Sequence, residues 1–103
     1  MKVLRKAHYV ANKTRLVSEM RQRRIELKNK LWDYKSSLAC TDCGLIDPIV
    51  LDFDHLSDKY LNVGKMANNG FSWEKIVLEI QKCEPVCANC HRRRTFKRAG
   101  WRQ

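Results

Sequence analysis

The chain has 103 residues, with 21 Lys and Arg against 11 Asp and Glu, and a formal net charge of +10. This length suits one small domain with an extension, and no apolar run approaches the roughly 18 residues that a membrane-spanning helix needs, which excludes an integral membrane protein. The first residues do not resemble a signal peptide, so we expect a cytoplasmic protein whose five cysteines are reduced and available to bind metal.

The first predicted element is a basic helical arm over residues 1–37, which lacks Gly and Pro. Its apolar residues recur at helical spacing at Leu27, Leu31, Tyr34 and Leu38, with a looser stripe at Leu16 and Met20. We expect the second half of the arm to dock on the core. The first dozen residues have weaker periodicity, and we expect them to be frayed until nucleic acid binds.

A strand is predicted over residues 49–55, where β-branched and aromatic residues alternate with acids. A period of two puts Phe53 and His55 on one face and Asp52 and Asp54 on the other. Asp54 and His55 should therefore serve different partners, one the metal and the other an attacking water.

Residues 56–71 are polar and predict a loop, and Ser72 predicts the N-cap of a short core helix that ends near Cys83 or Pro85. After a short extended piece, the run from Cys90 predicts a basic helix that stops at Gly100.

Two Cys-x-x-Cys pairs, Cys40/Cys43 and Cys87/Cys90, offer four soft ligands with the spacing of a structural zinc site. Disulfides are the alternative, and a reducing compartment disfavours them. Cys83 is expected to be a small buried hydrophobe rather than a fifth ligand. Because a closed zinc site has no reactive position, the oxygen and imidazole groups of three nearby residues suggest a second, catalytic ion. These residues are Asp54, His55 and His91.

Three segments together resemble the HNH endonucleases that carry a four-cysteine zinc site. They are Cys40-Thr-Asp-Cys43, Asp52-Phe-Asp54-His55 and Cys87-Ala-Asn-Cys90-His91-Arg-Arg-Arg-Thr95. The resemblance covers residues 38–98 and implies an α+β fold with a small ββα-metal, treble-clef-like core. The chain would then divide into the arm, residues 1–37, and a nuclease domain, residues 38–103.

The resemblance also implies roles for single residues. Asp54 and His91 would bind the catalytic divalent ion, Mg²⁺ or another such as Mn²⁺ or Ni²⁺, and His55 would be the general base. Arg94 would take the place of a basic residue that helps to hold phosphate. The family's middle Asn is replaced here by Lys82, and the sequence leaves Asn62 and Asn89 open as substitutes.

Charge is unevenly distributed along the chain. Residues 1–36 hold 11 basic and 3 acidic side chains, residues 37–90 hold 4 and 8, and residues 91–103 hold 6 and none. Two basic flanks around an acidic centre suit a polyanion, so DNA is the predicted partner and membranes are not. The residues predicted to contact it are Arg21, Arg23, Arg24, Lys28, Arg92, Arg93, Arg94, Lys97 and Arg98.

Several alternatives stay open from the sequence. A zinc-stabilised module that binds DNA or RNA without cleaving it fits the cysteines and the charge equally well. A nuclease could nick one strand or cut both, and either a monomer or a homodimer fits. A freestanding nuclease of this size is compatible with a phage, a mobile element or a bacterial defence system.

Overall fold

The computed structural model describes residues 2–100, with side chains from Tyr9 onward. Over this range the chain forms four helices and one two-stranded sheet, the α+β class predicted from the sequence. The elements are α1 (Lys2–Ser36), β1 (Leu51–His55), α2 (Val63–Asn68), α3 (Trp73–Ile80), β2 (Cys83–Cys87) and α4 (Ala88–Ala99). No helix among the described residues is long and apolar enough to cross a membrane.

The sheet is a pair of antiparallel strands that are far apart in sequence. β1 pairs with β2 in a register that sets Leu51 opposite Cys87 and His55 opposite Cys83. The segment between the strands carries α2 and α3, and α4 follows β2 without a loop. Pro85 is tolerated within β2 because each strand of a two-stranded sheet has a free edge.

The first hydrophobic cluster joins α1 to α2 and α3. Its buried residues are Leu27, Leu31, Val63, Met66, Ala67, Ile76 and Ile80, with Tyr34 and Phe53 packed against it. The predicted docking of the second half of the arm is therefore confirmed. The looser stripe is not docked, because Leu16 and Met20 remain more than half exposed. Upstream of Arg23, which donates to the Gly70 carbonyl at 2.8 Å, α1 projects away from the body.

The second hydrophobic cluster holds the cysteine pairs. Leu51, Val86, Cys40, Cys87 and Cys90 are buried there, and Leu38 and Val50 pack against them. This small cluster contains no large aromatic side chain, and burial of a few aliphatic groups stabilises a fold only modestly. A metal held by the cysteines would add what the apolar contacts lack.

Three local predictions differ from the structure. β1 begins at Leu51, two residues later than predicted, and residues 2–12 belong to the continuous helix α1. The segment predicted as a loop contains α2, which has no side-chain cap at Asn62 and carries Gly64. Burial of Val63, Met66 and Ala67 stabilises this helix, and such tertiary burial leaves no clear local pattern. α4 begins at Ala88, two residues earlier than predicted.

The start of α3 and the end of α4 agree with the sequence, whereas α3 ends at Ile80, before the predicted end near Cys83 or Pro85. Ser72 caps α3 as predicted, because its hydroxyl accepts the Lys75 N–H at 3.3 Å. α4 ends at Gly100, whose φ of +61° is a left-handed conformation that glycine adopts without strain. α4 is attached to the second cluster at its start, through Cys87 and Cys90, and packs against both strands.

Candidate metal centre

Four cysteine thiols converge where the first Cys pair meets the start of α4. The Sγ atoms of Cys40, Cys43, Cys87 and Cys90 all lie within 4.8 Å of one another. The Cys43 and Cys87 sulfurs are 3.8 Å apart. Zinc–sulfur bonds of about 2.3 Å in a tetrahedron put the sulfurs about 3.8 Å apart, so the four thiols fit one zinc ion. Cys83 lies outside this group and donates to the Glu79 carbonyl, consistent with its predicted structural role.

Local backbone geometry builds the two halves of this site. The first pair lies in a turn in which the Gly44 N–H donates to the Cys40 carbonyl at 2.8 Å, and Gly44 adopts a φ of +79°. Thr41 joins that turn to β2, since its N–H and its hydroxyl both donate to the Pro85 carbonyl. Cys87 is the N-cap of α4, and its sulfur accepts the Cys90 N–H at 3.4 Å.

Because the four thiols lie close together, their pKa values differ widely. Burial alone would raise the pKa of Cys40, but backbone N–H groups, chiefly that of Cys87, outweigh it and lower the pKa to about 6. The pKa of Cys90 is raised to about 12, first by the neighbouring Cys87 thiol and then by burial. Four thiolates cannot coexist here without a cation, and a bound divalent metal supplies the compensating charge.

A second group of polar residues lies on the face of the sheet toward α4, around Asp54. The Asp54 side chain is only 4% exposed. Arg98 donates from Nη1 to Oδ1 at 2.8 Å and from Nη2 to Oδ2 at 2.7 Å, and Arg94 donates to Oδ2 at 2.8 Å. The Arg98 guanidinium is the main reason that the pKa of Asp54 is lowered to about 2; burial opposes it and Arg94 adds to it. Asp54 is therefore ionised at neutral pH.

His91 completes this group from the first turns of α4. Its Nδ1 lies 3.1 Å from Asp52 Oδ2, and its Nε2 lies 3.5 Å from Asp54 Oδ1. If Nδ1–H donates to Asp52, the lone pair of a neutral ring faces the Asp54 carboxylate. Two acceptors that face each other need a proton or a cation between them. A carboxylate on the far nitrogen is also the arrangement that orients metal-binding histidines.

The two groups are joined by one side chain. Arg94 donates to both oxygens of Asp42, at 2.7 and 2.6 Å, and to Asp54 on its other side. Asp42 lies between the two cysteines of the first pair, so Arg94 connects the thiol site to the carboxylate site. Its side chain is 17% exposed. The structure therefore gives Arg94 internal ion pairs, where the resemblance implied a phosphate contact.

His55 lies on the other side of β1, as the strand alternation predicted. Its ring is nearly buried, and Nε2 lies 3.5 Å from Glu79 Oε2 of α3, at the outer limit of a hydrogen bond. Glu79 also accepts from Lys82 at 2.8 Å and from the Tyr60 N–H at 3.2 Å. Burial alone would raise the pKa of Glu79, but Lys82 and these hydrogen bonds lower it.

Lys82, at the position where the endonucleases that the sequence resembles have Asn, has a defined place in this structure. Its ammonium group bridges Glu79 and the Asp58 carbonyl, the latter at 3.1 Å. Neither open substitute lies in this network: Asn62 precedes α2, and Asn89 is exposed in the first turn of α4. Lys82 is therefore the residue that fixes the segment after β1 in this chain.

The remaining predicted nucleic-acid contacts form two basic surfaces. On α4, Arg92, Arg93, Lys97 and Arg98 are exposed, and a hollow of about 430 Å³ opens between His91, Arg92 and Phe96. On the arm, Arg21, Arg24 and Lys28 line a second hollow of about 500 Å³ with Asn68 and Asn69. Arg23 is exposed beside it, although its guanidinium is bound to Gly70.

No protein-family model matches the sequence, and comparison with curated proteins and with solved structures finds no significant similarity. The chemistry of the site is therefore inferred from its own residues. Within the described part of the chain, the four cysteines form the one group of three or more Cys, His, Asp or Glu side chains already close enough to bind a metal together. Asp54 and His91 belong to no group of this size among the described residues, and His91 Nε2 lies 3.5 Å from Asp54 Oδ1.

Sequence reasoning missed three residues of this region. The strand alternation predicts only that Asp52 shares a face with Asp54, and the structure adds its contact with His91. Glu79 falls within the predicted core helix and is not among the predicted site residues, and Arg98 is predicted only to contact DNA. A signal for Arg98 was present, because His91, Arg94 and Arg98 are spaced i, i+3 and i+7 and must share one face of α4.

Proposed function

We propose that this protein is a zinc-stabilised, divalent-metal-dependent endonuclease that hydrolyses phosphodiester bonds of DNA. The four cysteines would hold the structural zinc. Asp54 and His91 would hold the catalytic ion, and His55 would be the general base. The core would be of the ββα-metal type, since α4 follows β2 directly and packs on both strands.

The observation that carries this proposal is the contact between His91 and Asp54. An imidazole oriented by Asp52 presents its other nitrogen to a buried, ionised carboxylate at 3.5 Å. One nitrogen and one carboxylate oxygen suit Mn²⁺, Ni²⁺ or Mg²⁺, with coordination completed by water or phosphate. A simple DNA-binding module has no need for this pairing beside the zinc site.

The chain's own groups have separable tasks in the proposed reaction. The ion would supply charge stabilisation at the scissile phosphate and at the departing oxygen. His55 would accept the proton of the attacking water as the water oxygen bonds to phosphorus. The bond from phosphorus to the 3′ oxygen would break, and that oxygen would be protonated by solvent. Asp54 and His55 are consecutive in β1, with Cα atoms about 3.8 Å apart and side chains on opposite sides of the strand, so the scissile phosphate would have to lie at the end of β1 to reach both.

Supercoiled-plasmid cleavage by the zinc-loaded protein tests this function. Nicking or linearisation should require added Mg²⁺, Mn²⁺ or Ni²⁺ and should be lost in His91→Ala. His8→Ala, a histidine of the arm, is the matched control and should cleave normally. A nicked product alone would indicate that one strand is cut, and a linear product would indicate that both are cut. Absence of cleavage with every metal, in protein that still shifts DNA, would exclude the enzyme.

The alternative function is a zinc module that binds nucleic acid without cleaving it. One observation favours it: both oxygens of Asp54 are already bound by Arg94 and Arg98. In that case the carboxylate would serve only to anchor α4. The two functions differ in what happens when Arg98 is removed, because an enzyme must release Asp54 from Arg98 in order to bind the ion.

Arg98→Gln is therefore expected to tighten Mn²⁺ binding by about tenfold, since the ion no longer competes with a charge-assisted bidentate pair. Lys97→Gln, which makes the same charge change on the neighbouring position, is the control and should alter binding far less. Calorimetry or the electron paramagnetic resonance of free Mn²⁺ measures both. Equal affinities in the two variants would show that Arg98 does not compete for the site.

DNA affinity is expected to depend strongly on salt, because the exposed basic residues of α1 and α4 would neutralise phosphates. If six to ten phosphates are contacted, affinity should fall by about 10³–10⁵ between 50 and 200 mM salt. Arg93→Gln should reduce the slope by about 1, whereas Lys75→Gln on α3 should leave it unchanged. Fluorescence anisotropy across a salt series measures this, and a flat response would contradict binding through phosphates.

A further inference from the structure

Glu79 is a buried carboxylate to which the proposed mechanism gives no task. It is 3% exposed and lies in the last turn of α3, opposite the end of β1. Its Oε1 accepts from Lys82 at 2.8 Å, and its Oε2 accepts from the Tyr60 N–H at 3.2 Å. Burying an ionised carboxylate is costly unless it is well paired, and Lys82 and the Tyr60 N–H supply that pairing here.

Glu79 Oε2 has a second neighbour, the ring of His55, and this neighbour explains the position of Glu79. His55 Nε2 is buried, has no hydrogen bond within the described residues, and lies 3.5 Å from Glu79 Oε2. A buried ring nitrogen needs a partner, and Glu79 is the one that a small rotation of the ring would reach. Donation from Nε2–H to the carboxylate leaves the lone pair on Nδ1. The tautomer of His55 would then be set by Glu79.

We infer that Glu79 is the positioning residue of His55: it holds the ring by Nε2–H and so makes Nδ1 the atom that accepts the proton of the attacking water. This inference rests on the proposed nuclease function. Lys82 supports this arrangement, because its ammonium group donates one hydrogen bond to the other oxygen of Glu79 and one to the Asp58 carbonyl. Lys82, Glu79 and His55 thus form one chain of contacts that orients the base.

The tautomer of His55 is measurable without any cleavage. In ¹⁵N-labelled, zinc-loaded full-length protein, long-range ¹H–¹⁵N correlation spectra should show His55 as the Nε2–H tautomer. In Glu79→Met, which keeps the length of the side chain and removes both oxygens, that preference should be lost. In Glu79→Gln, whose amide oxygen still accepts, it should be retained. The Nδ1–H tautomer in the wild-type protein would overturn the inference, whether or not the variants fold.

Single-turnover kinetics then separate positioning from simple packing. Glu79→Met should lower the cleavage rate at saturating enzyme by about 10–100-fold, part of what a general base contributes, while the dissociation constant for DNA stays unchanged. Glu79→Gln should restore much of the rate. Glu74→Gln, on the exposed first turn of α3, is the control and should cleave normally. An unchanged rate in folded Glu79→Met would refute the inference. No cleavage by the wild-type protein would refute the proposed function, and the tautomer would then decide the Glu79 contact by itself.

Discussion

The His55→Ala variant is expected to lose cleavage by about 10²–10⁴-fold while its affinity for DNA stays unchanged, because the proposed general base would transfer a proton and would not bind DNA. The substitution leaves Glu79 paired with Lys82 and with the Tyr60 N–H, so the buried carboxylate keeps two of its partners. The fold should therefore survive. Plasmid cleavage at saturating enzyme, with DNA binding measured by anisotropy, separates the two effects.

Two further measurements make that result decisive. Zinc content and thermal unfolding of His55→Ala should match the wild-type protein, which excludes loss of activity through loss of structure. His8→Ala again provides the control for the loss of an imidazole elsewhere. Cleavage retained by a metal-replete His55→Ala preparation would remove His55 from the role of general base and would leave the Asp54–His91 site to activate water without it.

Replacing Cys87 by Ser is expected to unfold the region around the sheet rather than to change the chemistry alone. Cys87 ends β2, caps α4 and contributes one of the four sulfurs, so its loss affects three features at once. The apparent free energy of zinc binding in small four-ligand sites is about 10–16 kcal/mol at pH 7, which exceeds the free energy of unfolding of most domains of this size. Circular dichroism and stoichiometric zinc analysis should show a protein with less than one bound zinc and no cooperative melting transition.

Cys83→Ser is the matched control for that experiment. It makes the same chemical change four residues earlier in β2. The Cys83 thiol lies outside the cluster, and burial raises its pKa to about 11. This variant should bind one zinc and melt cooperatively. If Cys87→Ser also binds one zinc and melts like the control, the four cysteines do not form a structural zinc site.

The sequence predicted those parts of the site that depend on local spacing. Cys-x-x-Cys pairs must each bring two thiols together, so the four-sulfur cluster could be predicted as soon as the two pairs were assumed to meet. The alternation of Asp54 and His55 across β1 was predictable for the same reason. The cap at Ser72 and the stop at Gly100 also depend on one residue each, and both were found where predicted.

Features that depend on tertiary contacts were not predictable in this way. Val63 and Met66 stabilise α2 only because they are buried against α1 and α3, and a six-residue helix that contains Gly64 has no local signal strong enough to predict it. The partners of Asp54 depend on how α4 lies along β1. Glu79 is adjacent to His55 only because α3 ends opposite that strand, and the two residues are far apart in sequence.

The part of α1 upstream of Arg23 extends well beyond the body of the molecule. Residues 2–22 lie upstream of the Arg23 contact and measure about 31 Å at 1.5 Å per residue. One turn of B-form DNA measures about 34–36 Å. A straight helix of that length ends almost one full turn of B-form DNA away from the contact between Arg23 and Gly70. Under the proposed function, this part of α1 would contact DNA well away from the site of cleavage.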